Sequence, residues 1–269
     1  MSESTVSLTT SDLRMDVRPA PSDAVLERNL AVFRPRDPEL VERILAAEVK
    51  PLDIEVAEDG HPTAIWQGRR LASARRPGEE TIRQVEGVDP TTTGLVAVVG
   101  FGLGQHVAVL ARRLGQSGIV LVAEPDRSLL RAVFSRIDAT AWLSQSQVVI
   151  TDQADAGELG PKLAGAEGTI MLGVRIIEHP ASRVRLGGLG GQIAQTLREL
   201  VDNARMNVVT TLLRCVGTLE NQLGNLPRFS LGAGVEDLRG IAAGRLGVVV
   251  SAGPSLRRNI DELARPGVR

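Results

Sequence analysis

Four short apolar runs, separated mostly by helical patterns, constrain the fold of this chain more than any other feature. The runs LVAVV, IVLVA, VVI and TIML begin at Leu95, Ile119, Val148 and Thr169. Near-continuous apolar strands that alternate with helices are typical of a parallel sheet covered by helices on both faces. The sequence therefore predicts an α/β fold with a Rossmann-like parallel sheet over residues 91–188.

The residues before this domain are expected to form a tail, helices and a β-hairpin. Residues 1–22 are polar, and we expect a flexible tail. Residues 23–90 are expected to hold helices and a β-hairpin. Asp37 and Pro38 are suited to begin the second helix, and apolar residues alternate on the first strand before an Asp59-Gly60 turn.

A long helix is predicted after the sheet, over residues 189–227. Apolar residues recur there every three or four positions, and we expect the helix to end near Gly224, with Pro227 just beyond. Residues 245–269 are then predicted to form the first strand, turn and helix of a second α/β domain. The apolar positions of the long helix are Ile193, Leu197, Val201, Ala204, Val208, Leu212, Val216, Leu219 and Leu223.

Composition argues against several classes of partner and site. The 31 basic and 32 acidic residues nearly cancel, so no net charge attracts nucleic acid or an anionic membrane. Cys215 is the single cysteine, and His61, His106 and His179 lie far apart, so no metal site is predicted. We expect His106 to be partly solvated. The start lacks the apolar core of a signal peptide, which favours a cytoplasmic location.

The first glycine-rich turn, VVGFGLGQHV, is a candidate cofactor turn. Gly100, Gly102 and Gly104 follow the first apolar strand, but Gln105 occupies the last position of the dinucleotide fingerprint G-x-G-x-x-G. With Glu124 at the end of the next strand, the turn resembles the first motif of S-adenosylmethionine-dependent methyltransferases. A tight turn that binds no ligand is the alternative.

The second turn, VVVSAGPSLRRN, places small residues after an apolar strand. Such a turn lets a ligand approach the carboxyl end of the strand, where open sheets bind ligands, and phosphate binding and a plain structural turn both remain open. The candidate donor-binding residues are Ser251, Ala252, Gly253, Pro254, Ser255 and Asn259.

Both turns, in this order, resemble the motility-associated factor (Maf) family of flagellin glycosyltransferases, which share a domain with MptE-like 6-hydroxymethylpterin diphosphokinases. The matching stretches are LASARRPGEETIR, VVGFGLGQHV, LVAEPDRSLLRAVFSRIDATAWLSQSQV, NQLGNL and VVVSAGPSLRRNIDEL. The resemblance implies transfer of a nonulosonic acid from a CMP-activated donor to Ser or Thr of flagellin. Ser251 stands where the family has Gly, and Gln105 and Arg76 stand where it has Tyr.

The resemblance also implies that residues 245–269 are only the beginning of the transferase domain. The chain as given is then expected to be inactive alone, and its catalytic residues are unknown. Three alternatives stay open: a non-catalytic module that binds flagellin or an enzyme through the long helix, a methyltransferase-like domain, and a pterin diphosphokinase-like protein. No cofactor beyond the CMP-activated sugar, as donor substrate, is expected.

Overall fold

The structure is a computed structural model that describes residue 13 and residues 15–144, 147–232, 234–241 and 243–244. The chain divides into two units, Met1–Thr210 and Thr211–Arg269. The strands are β1 (Asp16–Val17), β2 (Asp53–Val56), β3 (Pro62–Trp66), β4 (Arg69–Arg70), β5 (Leu95–Val99), β6 (Ile119–Ala123), β7 (Ile137–Asp138), β8 (Gln147–Thr151) and β9 (Val174–Glu178). The helices are α1 (Asp23–Phe33), α2 (Pro38–Leu45), α3 (Pro77–Val85), α4 (Gln105–Leu114), α5 (Arg127–Arg136), α6 (Thr140–Leu143), α7 (Ala156–Lys162), α8 (Glu167–Leu172), α9 (Pro180–Leu186) and α10 (Leu189–Leu231).

A four-stranded parallel sheet forms the centre of the first unit. The strand order is β8-β6-β5-β9. Every residue of β5 and β6 is buried, because successive side chains enter two apolar clusters on opposite faces of the sheet: Val96 and Val98 lie in one, Leu95 and Ala97 in the other. The predicted Rossmann-like α/β fold is confirmed.

The prediction for the fourth strand is wrong in position. Thr169 begins no strand but lies in α8, where Ile170 alone is buried. Gly173, with φ +156°, then leads into β9. β9 forms the edge of the sheet and carries the exposed Arg175 and Glu178. An edge strand needs no continuous apolar run, which is why the sequence pattern pointed to the neighbouring helix instead.

The N-terminal segments pack on the same core. Asp37 caps α2 as predicted, because its side chain accepts a hydrogen bond from the Leu40 amide. β2 and β3 pair antiparallel across the Asp59-Gly60 turn, and β4 adds a third strand. The predicted flexible tail is wrong for residues 16–22, since β1 pairs with β7 and the Ser22 amide donates to the carbonyl of Ser135.

α10 is longer than the sequence predicts. It continues through Gly224 and Pro227 to Leu231. Pro227 leaves the carbonyl four residues before it, that of Leu223, without a helical donor, and this stretch of the helix is exposed, so that carbonyl is open to solvent. Among the helices of the described ranges, none has the length and apolar character that crossing a membrane requires.

Candidate functional site

The first glycine turn lies at the carboxyl end of β5. Gly100, Gly102 and Gly104 have φ values of +95°, +53° and +81°. L-residues with side chains rarely adopt such values, so this path of the chain favours glycine at all three positions. Gly104 precedes α4, so the turn ends directly at a helix N-terminus.

Side chains from the neighbouring strand connection cover this turn. A Cβ on Gly100 would lie 2.3 Å from the Ser182 Cβ, and a Cβ on Gly102 would lie 2.6 Å from His179 Nε2. The chain runs from β5 outward to β6 and β8 and then returns to form β9 on the other side of β5. Open sheets bind ligands at the point where the strand order reverses in this way. Here His179 and Ser182 occupy the space directly over the glycines.

His106 and His179 form a stacked pair in this space. Their ring centroids are 4.9 Å apart with an interplanar angle of 25°, and both side chains are buried. The expectation that His106 is partly solvated is therefore wrong. Its Nε2 lies 3.3 Å from the Gly100 carbonyl oxygen, and His179 Nδ1 lies 3.1 Å from Ser182 Oγ.

Burial keeps both imidazoles neutral at neutral pH. Desolvation lowers the pKa of His106 to about 4, against a weaker opposing effect of its hydrogen bond to Gly100. The pKa of His179 lies well below its ordinary value because of desolvation, and then because of the neighbouring His106 and Arg185. A neutral histidine pair accepts protons only at acidic pH or after the site opens.

Glu124 connects the glycine turn to the start of α5 and to α9. Its fully buried carboxylate accepts hydrogen bonds from the amides of Phe101 and Asp126, both at 3.0 Å. Arg185 of α9 donates to both oxygens, at 2.8 and 2.6 Å. The oxygens that would accept ribose hydroxyls in a cofactor site are thus engaged by the chain itself.

Asp126 extends this network toward the hairpin sheet. It caps α5 through the Leu129 amide and accepts a hydrogen bond of 2.9 Å from Trp66 Nε1. Arg185 lies 3.7 Å from its carboxylate. The EPD sequence after β6 therefore joins the hairpin, the glycine turn and α9.

A second buried carboxylate follows β8. Asp152 accepts hydrogen bonds from Arg43 at 3.0 Å and from Arg127 at 2.5 Å. Burial raises the pKa of Asp152, but hydrogen bonds and charges from the two arginines outweigh burial and leave it below its ordinary value. This cluster fastens α2 and α5 to the end of the sheet.

A cavity of about 350 Å³ adjoins the glycine-turn network. It lies between the hairpin sheet and α9, and its walls combine two arginines with apolar side chains. That volume is within the range of small-ligand sites. The lining residues are Trp66, Gln67, Arg69, Leu71, Ala181, Val184 and Arg185.

The structure describes the residues of one of the two predicted sites and places them close together. Gly100, Gly102, Gly104 and Glu124 lie together, as the sequence predicts for a turn and the following strand end. The predicted donor-binding residues Ser251, Ala252, Gly253, Pro254, Ser255 and Asn259 lie outside the described residues. Within the described ranges, no three His, Cys, Asp or Glu side chains are grouped to hold a metal ion.

Sequence reasoning missed the side chains that fill the site. His179, Ser182 and Arg185 belong to the segment HPASRVR, which follows β9 directly. Correct placement of the fourth strand would have shown that His179 follows a strand's carboxyl end, next to the glycine turn. The misplaced strand therefore concealed these residues.

A comparison with solved structures finds a structural neighbour. No protein-family model and no curated protein matches the chain. A solved MAf glycosyltransferase from Magnetospirillum magneticum AMB-1 is similar over 67% of this chain, with 14% identity and a TM-score of 0.44. The aligned region is 35% of that chain, so this chain spans about a third of the length of its neighbour.

Proposed function

We propose that this chain is part of a Maf-like glycosyltransferase that binds its donor at residues 251–259 and not at the first glycine turn. The donor is a CMP-activated nonulosonic acid, and the acceptor is a Ser or Thr hydroxyl of flagellin. The ordered succession of GFGLG, EPD and SAGPSL in one chain is the observation that carries this proposal.

The geometry of the first turn supports this division of roles. His179 lies against Gly102, and Glu124 is bonded to Arg185 and two backbone amides. A cofactor could bind there only after α9 moved and a buried ion pair separated, which costs several kcal/mol. The first glycine turn in this arrangement is thus poorly suited to binding a nucleotide.

The methyltransferase alternative is disfavoured on the same ground. S-adenosylmethionine needs an acidic residue such as Glu124 to accept hydrogen bonds from its ribose, and that carboxylate is already bonded to Arg185.

The alternative of a non-catalytic interaction module is supported by a separate observation. In the second unit, α10 exposes a row of large apolar side chains.

Isothermal titration of the 269-residue chain tests the proposal. We expect CMP to bind, and Ser255→Ala to weaken binding about tenfold if its hydroxyl bonds the phosphate. Ser117→Ala is the matched control, since it removes a hydroxyl elsewhere, and it should leave CMP binding unchanged. S-adenosylmethionine should give no heat of binding.

The outcomes separate the candidates. CMP binding that is equally strong in Ser255→Ala would place the nucleotide elsewhere and contradict the proposed donor site. Absence of binding by CMP and CMP-activated nonulosonic acids, repeated with the full native protein that contains these residues, would exclude the glycosyltransferase proposal. Binding of S-adenosylmethionine alone would favour the methyltransferase alternative.

A further inference from the structure

The second unit exposes a row of large apolar side chains along α10, which we call the heptad stripe. Its members lie between 56% and 67% exposed, although large apolar side chains in a folded chain are usually buried. Contiguous apolar patches of this kind mark interaction surfaces. The stripe consists of Leu212, Val216, Leu219, Leu223 and Leu226.

The spacing of the stripe is that of a coiled coil. Its residues follow one another at intervals of four, three, four and three, which average 3.5 residues rather than the 3.6 of a straight helix. Val216 and Leu223 occupy a positions, and the other three leucines occupy d positions. By sequence the register extends to Val209, one further a position.

The residues on the opposite side fit the same register. The outward b, c and f positions hold polar residues or glycine and no large apolar side chain, as expected where a coiled coil faces solvent. These residues are Arg214, Gly217, Thr218, Asn221, Gly224 and Asn225.

Intrinsic helix propensity does not account for this part of α10. Gly217 and Gly224 each cost about 1 kcal/mol relative to alanine in a helix, and Pro227 removes one hydrogen bond. Helices in proteins take most of their stability from packing of an apolar face. The heptad stripe is the face that such packing would bury.

We propose that the heptad stripe binds the same stripe of a second copy of this chain, as a parallel two-stranded coiled coil. Two of the three a positions hold β-branched valine, Val216 and by sequence Val209, and Leu223 holds the third; β-branched residues at a combined with Leu at d favour two parallel strands. At roughly 100 Å² for each largely exposed Leu or Val, two stripes bury about 1,000 Å² together, which is at the lower limit for a specific interface.

Charge at the edges of the stripe is compatible with a parallel pair. Glu220 occupies an e position, and the g position that faces it in a parallel copy is Cys215. Arg214 occupies an outward f position. The parallel arrangement therefore brings no like charges together along the stripe.

Light scattering after size-exclusion chromatography tests the association. The 269-residue chain should have twice its monomer mass of 28.7 kDa. Leu219→Asp should weaken dimerisation at least about tenfold, because it places a carboxylate in the apolar seam of both copies. Arg214→Asp, a charge change on the outward side, should remain a dimer. A native chain that is monomeric, or a Leu219→Asp variant that dimerises like it, would overturn the proposal.

Cysteine crosslinking tests the parallel direction. In a Cys215→Ser background, Leu212→Cys should form a disulfide between two copies when copper phenanthroline accepts the two electrons and the two thiol protons pass to the buffer. Arg214→Cys should not crosslink. An antiparallel pair packs d positions beside a positions and would place Leu212 beside Leu223 of the second copy, about 16 Å along the helix from the other Leu212. A dimer in which Leu212→Cys fails to crosslink would therefore contradict the parallel coiled coil.

Discussion

Two buried histidines are the main titratable groups at the first glycine turn. His106 and His179 pack as stacked neutral rings, and neither faces solvent. In the unfolded chain they regain their ordinary pKa values near 6.5, so the unfolded state binds more protons below that pH. Because the folded state resists protonation, this pair links the stability of the site to pH.

We predict that the free energy of unfolding falls as the pH is lowered from about 6.5 toward 4, where His106 titrates in the folded protein. His106 alone accounts for up to about 3 kcal/mol across this window, at 1.36 kcal/mol for each pKa unit. Urea unfolding at a series of pH values measures the loss. His106→Gln should reduce the loss to the part that the buried His179 contributes, whereas His61→Gln should leave the loss unchanged because the pair is intact. An equal loss in native chain and His106→Gln would contradict this account.

The helix α9 fills the space over the first glycine turn, where the sequence predicted a possible cofactor. Its seven residues begin after β9 and carry Ser182 and Arg185 onto the turn and Glu124. The sequence made the turn of Gly100 and Gly102 a candidate for binding a cofactor close to the backbone. The group that approaches is the chain's own His179 and Ser182, which only the order of the strands could reveal.

We predict that Arg185→Met destabilises the fold by about 3 kcal/mol, because it leaves the buried Glu124 carboxylate without its cation. Arg183 on the same helix is the matched control. Its ion pair with Glu178 is exposed, so Arg183→Met should change stability by less than about 0.5 kcal/mol. Urea unfolding at neutral pH compares the two. Equal effects would mean that the ion pair of Glu124 does not hold α9 in place.

The predictability of each element follows from what packs against it. β5 and β6 are buried on both faces, and their continuous apolar runs identified them correctly. β9 lies at the sheet edge, where one side of the strand has no neighbour and charged residues are tolerated, so periodicity selected α8 in its place. The capped helix α2 was predictable because Asp37 and Pro38 are local signals.

At the scale of the whole molecule, the segment before the sheet and the sheet itself share one core. The sequence separated residues 23–90 from residues 91–188, because the two segments have different periodicities. In the structure both belong to the unit Met1–Thr210. Leu30 and Phe33 of α1 lie in the same apolar cluster as Val96 and Phe134. Long-range packing of this kind leaves no mark on local sequence patterns.

Asn29 is a fully buried polar link between these two segments. Its buried side chain donates to the carbonyls of Phe134 and Ile137 at 2.8 and 2.7 Å and accepts from the Ala139 amide at 2.8 Å. Asn29→Ala removes all three bonds and leaves buried backbone groups unpaired, at a cost of about 3 kcal/mol. If the segments fold as one cooperative unit, this cost must appear equally in both of them.

The two tryptophans allow that prediction to be measured, since Trp66 lies in the hairpin sheet and Trp142 in α6. Each is kept as the single tryptophan, with the other replaced by Phe, and Asn29→Ala is added to both variants. We expect the same decrease in the denaturation midpoint from both fluorescence signals, because the shared core couples the segments. A decrease reported by Trp142 alone would mean that residues 23–90 unfold separately, and the boundary near residue 90 would then be a true domain boundary.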